Sequence, residues 1–193
     1  MIEDDEDAAL MVACRDGDEE AFVRLYHRHR DRVINYARRL LGNQAAGEEA
    51  AQDVFLKLFK ARKRYKPKSR FTTYLYKITT NHCLNLRSRL AQRTTYADAD
   101  IDTRAKSTAS QEADAAHAQL QQALLHALKQ LPGNQRAALV LVHYEGLTYQ
   151  EAGAAIGASE SSVKSLIHRA RKRLSSVLQP WEQHAHSEVD HAL

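Results

Sequence analysis

Six polar residues near the C-terminus have types and a spacing that predict contact with nucleic acid. At about 100° per residue they fall on one face of a helix, and no acidic residue lies among them. The six are Ser161, Lys164, Ser165, His168, Arg169 and Lys172. Lysine and arginine contact guanine edges and phosphates, and serine and histidine make shorter polar contacts, so the set fits a helix in the major groove of DNA.

The elements that would position this face are two short helices around a turn. Thr148 followed by Glu151 has the capping-box spacing that begins a helix, which is expected to run to about Ile156. Gly157 supplies the break, because glycine tolerates the left-handed conformation, and Ser159 can cap the next helix. This is the layout of a DNA-reading helix-turn-helix. The alternative is a solvated basic face on an ordinary helical bundle.

Cations, aromatics and amides are concentrated in the middle of the chain. A basic run without acids is interrupted by the helix-breaking Pro67; its members are Lys57, Lys60, Arg62, Lys63, Arg64, Lys66, Lys68 and Arg70. The next helix carries a stripe spaced by three and four residues: Tyr74, Lys77, Asn81, Asn85 and Ser88. Aromatics stack on unpaired bases, amides read base edges and lysines follow phosphates. The stripe beside the basic run therefore predicts binding of single-stranded nucleic acid, with a polar helix flank as the alternative.

Composition and periodicity predict an all-α protein. The 193 residues include only seven glycines and three prolines and show no clear period-two strand pattern. We expect two small helical domains joined by a flexible linker, with the helix-turn-helix in the second domain. The predicted segments are an acidic N-terminal segment (1–17), a first helical domain (18–90), the linker (91–113), a second helical domain (114–178) and a histidine-containing tail (179–193).

Three helices are predicted in the first domain, at about Asp18–Leu41, Gly47–Arg64 and Phe71–Leu90. An acidic, polar patch is expected at the start of the second helix, where acids also suit the helix dipole. It consists of Glu48, Glu49, Gln52 and Asp53.

The sequence speaks against several classes of protein. It has no apolar run long enough to span a membrane and lacks the layout of a secretory signal, so a cytoplasmic protein without direct membrane insertion is expected. Cys14 and Cys83 are too few for a zinc motif or a disulfide framework, and both are taken as reduced thiols. Scattered histidines without HExxH, and the absence of a glycine-rich phosphate loop, argue against an enzyme or a cofactor site. His184, His186 and His191 in the tail are an alternative metal site.

The order and spacing of these motifs resemble those of bacterial sigma factors of the extracytoplasmic-function group, in the sigma-70 family. The resemblance extends from about Asp18 to Leu178. It is carried by DEEAFVRLYHRHRDRV, EEAAQDVFLKLFKA, FTTYLYKITTNHCLNLRSR, LKQLPGNQRAALVLVHYEGLTYQEAGAAIG and SSVKSLIHRARKRL. It implies a subunit that joins core RNA polymerase, directs it to promoter DNA and opens the DNA there, without catalysing a reaction.

The resemblance also implies roles for the residues above. Core polymerase would bind Glu49, Gln52 and Asp53. The minus-ten element and its melting would involve Tyr65, Lys66, Lys68, Arg70, Tyr74, Lys77, Asn81 and Asn85, with Asn81 holding a flipped-out base. The minus-thirty-five element would be read by the six residues of the C-terminal helix. An anti-sigma factor, often membrane-anchored in this family, would bind in grooves between the two domains.

This chain departs from the family pattern at three informative positions. Tyr74 stands where a tryptophan is common, so the stacking surface is smaller. Gly153 within a helix costs roughly 1 kcal/mol relative to alanine, which suggests a less rigid domain or close approach by a partner. His168 occupies a recognition position that is often hydrophobic, so the preferred minus-thirty-five sequence does not carry over.

A different class of DNA-binding protein is also compatible with the C-terminal motif. A conventional repressor or response regulator would use the helix-turn-helix alone and bind a duplex operator without polymerase, usually as a dimer. That alternative leaves the basic run and the asparagine stripe unexplained.

Overall fold

The computed structural model describes residues 5–94 and 124–190, and within them the side chains of 5–92 and 124–175. All regular elements in these ranges are helical, which confirms the all-α prediction. They are α1 (Glu6–Asp16), α2 (Glu19–Leu41), α3 (Gln44–Ala61), a 3₁₀ turn (Arg62–Arg64), α4 (Phe71–Thr94), α5 (described over 124–129), α6 (Gly133–His143), α7 (Tyr149–Ile156) and α8 (Glu160–Asp190). Below, 5–94 is called the N-terminal half and 124–190 the C-terminal half.

Local capping residues account for most helix boundaries. Asp18 begins α2 by accepting a hydrogen bond from the Ala21 amide at 3.0 Å, and Gly42 ends it with φ near 91°. Asn43 caps α3 in the same way, so that α3 begins at Gln44, three residues earlier than predicted. α4 continues to Thr94, so the first four residues of the predicted 91–113 linker belong to this helix. The remainder of that linker lies outside the described residues.

The acidic N-terminal segment contains a helix that the sequence pattern did not predict. Asp5 caps α1, and Gly17 ends it in the left-handed conformation with φ near 118°. Met11 and Cys14 are buried in the N-terminal core. Four helices, α1 to α4, surround this core together with the 3₁₀ turn; its largest side chains also include Leu25, Phe55, Leu58 and Phe71. Glu3 and Asp4, which belong to the acidic start, lie outside the described residues.

A second core crosses from one half of the protein to the other. From the N-terminal half it includes Tyr36, Leu40 and Tyr76. The C-terminal half contributes Leu128, Leu131, Leu141, Leu147, Ala152, Ala155, Val163 and Ile167. α7 packs on α4, and α6 packs on α2. In this conformation the two halves therefore share one continuous apolar core.

Buried polar groups hold the same junction. The Glu145 side chain is only 5% exposed and accepts a short hydrogen bond from the Tyr76 hydroxyl of α4. From α2, Arg32 Nε lies 3.7 Å and Arg39 Nη1 lies 3.8 Å from its carboxylate oxygens. Burial, and then this carboxylate, raise the pKa of Tyr76. Glu145 is thus the electrostatic centre of the contact between the halves.

Arg136 of α6 forms a second polar link across the junction. It is 1% exposed, and its guanidinium donates to the Leu40 carbonyl of α2 at 2.5 Å and to the Leu131 carbonyl at 3.3 Å. Burial, which disfavours the charged form, lowers its pKa to about 9. The two acceptors are main-chain carbonyls, so neither of them neutralises the charge.

Gly153 is required by the turn that follows α7. A β-carbon at this position would lie 2.5 Å from the Ala158 carbonyl oxygen, and the Ala158 amide donates to the Gly153 carbonyl at 2.9 Å. The close approach inferred from the sequence is therefore made by the protein's own backbone.

We expect Gly153→Ala to lower the free energy of unfolding by about 1–3 kcal/mol through overpacking, although alanine has the higher helix propensity. Urea unfolding of the full chain measures the change. The matched control is Ala154→Gly, at the neighbouring exposed position, where only about 1 kcal/mol of propensity is lost. An increased unfolding midpoint for Gly153→Ala would contradict the packing explanation.

Candidate nucleic-acid interface

The loop between the 3₁₀ turn and α4, residues 65–70, is called the basic loop. Tyr65, at its start, is 3% exposed, and its ring centroid lies 5.2 Å from that of Tyr74 and 6.4 Å from that of Phe71. The Tyr65 ring packs under the loop, so in this conformation it offers little surface to a nucleic acid. Lys66, Lys68 and Arg70 are exposed, as predicted.

The stripe predicted on α4 faces outward. Lys77, Asn81, Asn85 and Ser88 are exposed and Tyr74 is half-buried. Tyr74 and Lys77, the first two residues of the stripe, line a groove together with the basic loop. The residues that form this groove are Arg64, Tyr65, Lys66, Lys68, Ser69, Thr73, Tyr74, Lys77 and Ala154. Burial raises the pKa of Tyr74 further above neutrality. A groove with cations and an aromatic ring, continued along α4 by the exposed amides of Asn81 and Asn85, suits an anionic strand with unpaired bases.

The acidic patch lies on α3, and none of its residues lines this groove. Glu49, Gln52 and Asp53 are exposed. Asp53 Oδ2 lies 3.3 Å from Nε2 of the buried His82, whose Nδ1 is bonded to Lys57. Burial, followed by the charge of Lys57, lowers the pKa of His82, which leaves the Asp53 charge without a cationic histidine at neutral pH.

Leu56 adds an apolar contact that the sequence analysis did not single out. It lies three and four residues after Asp53 and Gln52, on the same side of α3, and it is 56% exposed. The sequence could have revealed this contact, because Leu56 has the helical spacing that places it on the same face as Gln52 and Asp53. The patch can therefore bind a basic partner surface that also offers an apolar contact.

The helix-turn-helix has the predicted caps and bounds. Thr148 Oγ1 accepts from the Glu151 amide at 3.1 Å, and the Glu151 carboxylate accepts from the Thr148 amide at 2.9 Å. Gly157 ends α7 with φ near 74°, and Ser159 accepts from the Ser162 amide at the start of α8. Apolar residues of α8 pack inward: Val163, Ile167 and Ala170. This packing leaves the opposite face of α8 exposed.

All six predicted contact residues lie on that exposed face: Ser161, Lys164, Ser165, His168, Arg169 and Lys172. Lys164 forms an ion pair with Glu160 at 2.7 Å, one turn earlier, and lies 5.6 Å from the Tyr149 ring. Within the described residues, Arg169 forms no ion pair and lines a shallow groove with Ser161, Ser162, Ser165 and Leu166. Among the described residues, Arg169 therefore has fewer competing partners than Lys164.

The two candidate surfaces belong to one closed body. Arg70 Nη1 of the basic loop lies 3.5 Å from Glu151 Oε1 of α7, and Ala154 of α7 lines the groove beside Tyr74. The start of the helix-turn-helix thus lies against the proposed single-strand groove.

The other sequence-based expectations concern metal ligands, the two cysteines and membrane insertion. No group of three or more potential metal ligands occurs in the described residues, and the tail histidines fall outside the described side chains. Both cysteines are buried free thiols. Within the same ranges, no helix has the length and apolarity needed to cross a membrane.

Comparisons with known proteins cover both halves. The family model for sigma-70 region 2 matches residues 25–94, and that for sigma-70, region 4, matches residues 121–174. The chain is 35% identical over 178 residues to the ECF RNA polymerase sigma factor SigE of Mycolicibacterium smegmatis, covering 90% of this chain and 69% of the relative. It is 32% identical over 168 residues to the RNA polymerase sigma factor CarQ of Myxococcus xanthus, covering 87% and 95%.

Solved structures show the same fold. CnrH in complex with the cytosolic domain of CnrY matches with a TM-score of 0.69 and 24% identity, over 90% of this chain and 97% of that one. The sigma factor RpoE in complex with the anti-sigma factor NepR from Bartonella quintana matches with a TM-score of 0.66 and 22% identity, over 82% and 96%.

Proposed function

The chain belongs to the extracytoplasmic-function group of sigma-70 factors, and from this membership we propose that it joins core RNA polymerase, reads the minus-thirty-five and minus-ten elements of a promoter and opens the DNA. The observation that supports this most is the coexistence of two different nucleic-acid surfaces on one chain. A recognition helix presents an exposed basic face, and a groove beside α4 combines cations with aromatic rings, with the exposed amides of Asn81 and Asn85 further along the same helix.

For the minus-ten element we propose a single-strand mode. Lys66, Lys68 and Arg70 would hold the phosphates of the non-template strand, and Tyr74 would stack on a base. Lys77, Asn81 and Asn85 continue along the exposed stripe, where Asn81 would hold a flipped-out base. Tyr65 would support the loop from below, because its ring is already packed.

For the minus-thirty-five element we propose major-groove reading by α8. Arg169 and Lys164 are its main cations, and Ser161, Ser165, His168 and Lys172 complete the face. The ion pair with Glu160 compensates part of the charge of Lys164, whereas Arg169 has no such partner in the described residues. Arg169 should therefore contribute more to binding.

We expect Arg169→Ala to weaken binding to a minus-thirty-five duplex by about 1–3 kcal/mol, and Lys164→Ala to weaken it less. Glu160→Gln is the matched variant with the opposite expected effect. It removes the carboxylate that pairs with Lys164, so it should strengthen binding to the duplex at low salt. Titration of labelled duplex at several salt concentrations measures all three variants. Equal affinities for wild type and Arg169→Ala would remove this helix from the proposed interface.

For core polymerase we propose the acidic patch on α3. Glu49, Gln52 and Asp53 are exposed, and Leu56 adds apolar area beside them. Charge gives such a surface its selectivity for a basic partner, and the apolar contact adds affinity. Because the proposed partners are DNA and RNA polymerase, we propose that the protein acts in the cytoplasm.

The closed arrangement sets a condition on this function. The two promoter elements are about 25 base pairs apart, which is about 85 Å at roughly 3.4 Å per base pair. In the described conformation α7 contacts α4, so the two readers lie side by side. The segment 95–123, about 29 residues long, can span at most about 100 Å. We therefore propose that the halves separate before both elements are bound.

An anti-sigma factor is the proposed partner of the closed form. The matched solved structures contain CnrY and NepR bound to sigma factors. In this chain the faces expected to accept a partner between the halves already contact each other. We propose that the partner binds the outside of the closed body and keeps the halves together.

The decisive experiment is transcription in vitro with purified core polymerase, with and without this protein, on DNA from upstream of its own gene. Discrete start sites that need the protein would support the proposed function and define its promoter. Failure to bind core polymerase, combined with tight binding of the protein alone to that duplex, would favour the conventional repressor instead.

A further inference from the structure

We propose that Asp5, in the acidic N-terminal segment, is a positioning residue that holds the basic loop in the shape needed to capture the minus-ten strand. The proposal rests on the function proposed above. It assigns a role to α1, an element that neither candidate nucleic-acid surface includes.

The carboxylate of Asp5 caps two helices at once. Its Oδ1 accepts from the Ala8 amide of α1 at 3.2 Å, and its Oδ2 accepts from the Phe71 amide at 2.6 Å. Phe71 is the first residue of α4 and follows the basic loop directly. The first amides of a helix have no partner within the helix, and a negative charge is favourable at that end. Asp5 therefore fixes the point where the basic loop becomes α4.

Ring contacts of Phe71 connect the first residue of the loop, Tyr65, to the same region near α1. The Phe71 ring lies 5.4 Å from the ring of His29, whose Nε2 is 2.8 Å from Asp7 Oδ2 of α1. On its other side lies Tyr65, the first residue of the loop. Burial, and then the Asp5 charge, raise the pKa of Tyr65 to about 12, in keeping with a buried ring beside that carboxylate. Both ends of the loop are thus anchored at α1.

The loop itself has little internal support. Within residues 65–70 the main-chain bond described is that from the Lys68 amide to the Lys66 carbonyl, at 2.8 Å. Its exposed cations repel one another, and Arg70 is paired with Glu151 of α7. For Lys66 and Lys68, the anchors at the two ends of the loop therefore decide where the cations point. Loss of one anchor should change strand capture while leaving the minus-thirty-five face of α8 as it is.

The test compares Asp5→Ala with Asp5→Asn and with a matched control, Asp18→Ala. The Asp18 carboxylate caps α2 by accepting from the Ala21 amide at 3.0 Å, and it also forms an ion pair with Arg24. Asp18→Ala therefore removes a comparable helix cap without removing a contact of α4. Holoenzyme is titrated with a single-stranded oligonucleotide carrying the non-template minus-ten sequence, and with a minus-thirty-five duplex. Amide hydrogen exchange at Phe71 is followed in the free protein.

We expect Asp5→Ala to weaken oligonucleotide binding about 5- to 20-fold, to speed exchange at Phe71 and to leave duplex binding unchanged. Asp5→Asn should restore only part of the binding, because its single side-chain oxygen can accept from one of the two amides, and Asp18→Ala should bind like wild type. Equal oligonucleotide affinities for Asp5→Ala and Asp18→Ala would overturn the proposal. Failure of the wild-type holoenzyme to bind the oligonucleotide would instead contradict the proposed function, while the exchange measurement still tests the anchor.

Discussion

Replacing Glu145 with alanine is expected to release the C-terminal half from the N-terminal half. The mutation removes the acceptor of Tyr76 and leaves Arg32 and Arg39 without their shared carboxylate. A hydrogen bond to a buried charge contributes about 1.5–3 kcal/mol, so the equilibrium between closed and open forms should shift roughly 10- to 100-fold. Small-angle X-ray scattering of the free protein would report a larger radius of gyration.

Two further variants complete the scattering experiment on Glu145→Ala. Tyr76→Phe removes one hydrogen bond and should shift the equilibrium in the same direction by a smaller factor. Asp31→Ala removes an exposed pair with Arg30 on α2, at 3.0 Å, and should leave the radius of gyration unchanged. Because each half keeps its own helices, far-UV circular dichroism should remain that of wild type. A Glu145→Ala protein as compact as wild type would show that the apolar core alone holds the halves together.

Asn81→Ala is expected to impair promoter opening about 10- to 100-fold without weakening duplex binding. Asn81 is exposed on α4, in line with Lys77 and one turn from the groove of the basic loop. A side-chain amide that reads a base edge contributes about 1–3 kcal/mol, and here it would act only after the base leaves the duplex. Permanganate reactivity of thymines near the minus-ten element measures opening, and titration with the minus-thirty-five duplex measures binding.

Asn35→Ala is the matched control for Asn81. Asn35 is an exposed helical asparagine on α2 that does not line the groove. The Asn35→Ala protein should open the promoter to the same extent as wild type. Equal losses in opening and in duplex binding for Asn81→Ala would count against the single-strand role of the stripe.

Features specified by neighbouring residues could be predicted from the sequence. The capping box of Thr148 and Glu151 and the left-handed Gly157 fix α7 within a few positions, so its bounds were recovered. The α4 stripe follows from spacings of three and four residues along one helix. In both cases the information lies within about one or two helical turns.

Features that depend on distant partners could not be predicted in the same way. Asp5 and Phe71 are 66 positions apart, and Arg136 and Leu40 are 96 apart. α1 begins with acidic residues that are typical of an exposed segment, whereas its Met11 is buried in the core. An aromatic residue beside a basic run fits stacking on bases and packing under a loop equally well, and only the fold shows that Tyr65 packs.

The contact between the halves makes closure compete with the simultaneous binding of both promoter elements. Two tethered surfaces meet at an effective concentration in the millimolar range, well above typical concentrations of a soluble partner. Under the proposed function, the apparent affinity for a promoter that carries both elements equals the intrinsic affinity multiplied by the fraction of molecules that are open. Each 1.4 kcal/mol that Glu145 and its neighbours add to closure would then raise, tenfold, the amount of protein needed to occupy a given share of such promoters. The junction around Glu145 would thus set the dose at which transcription begins.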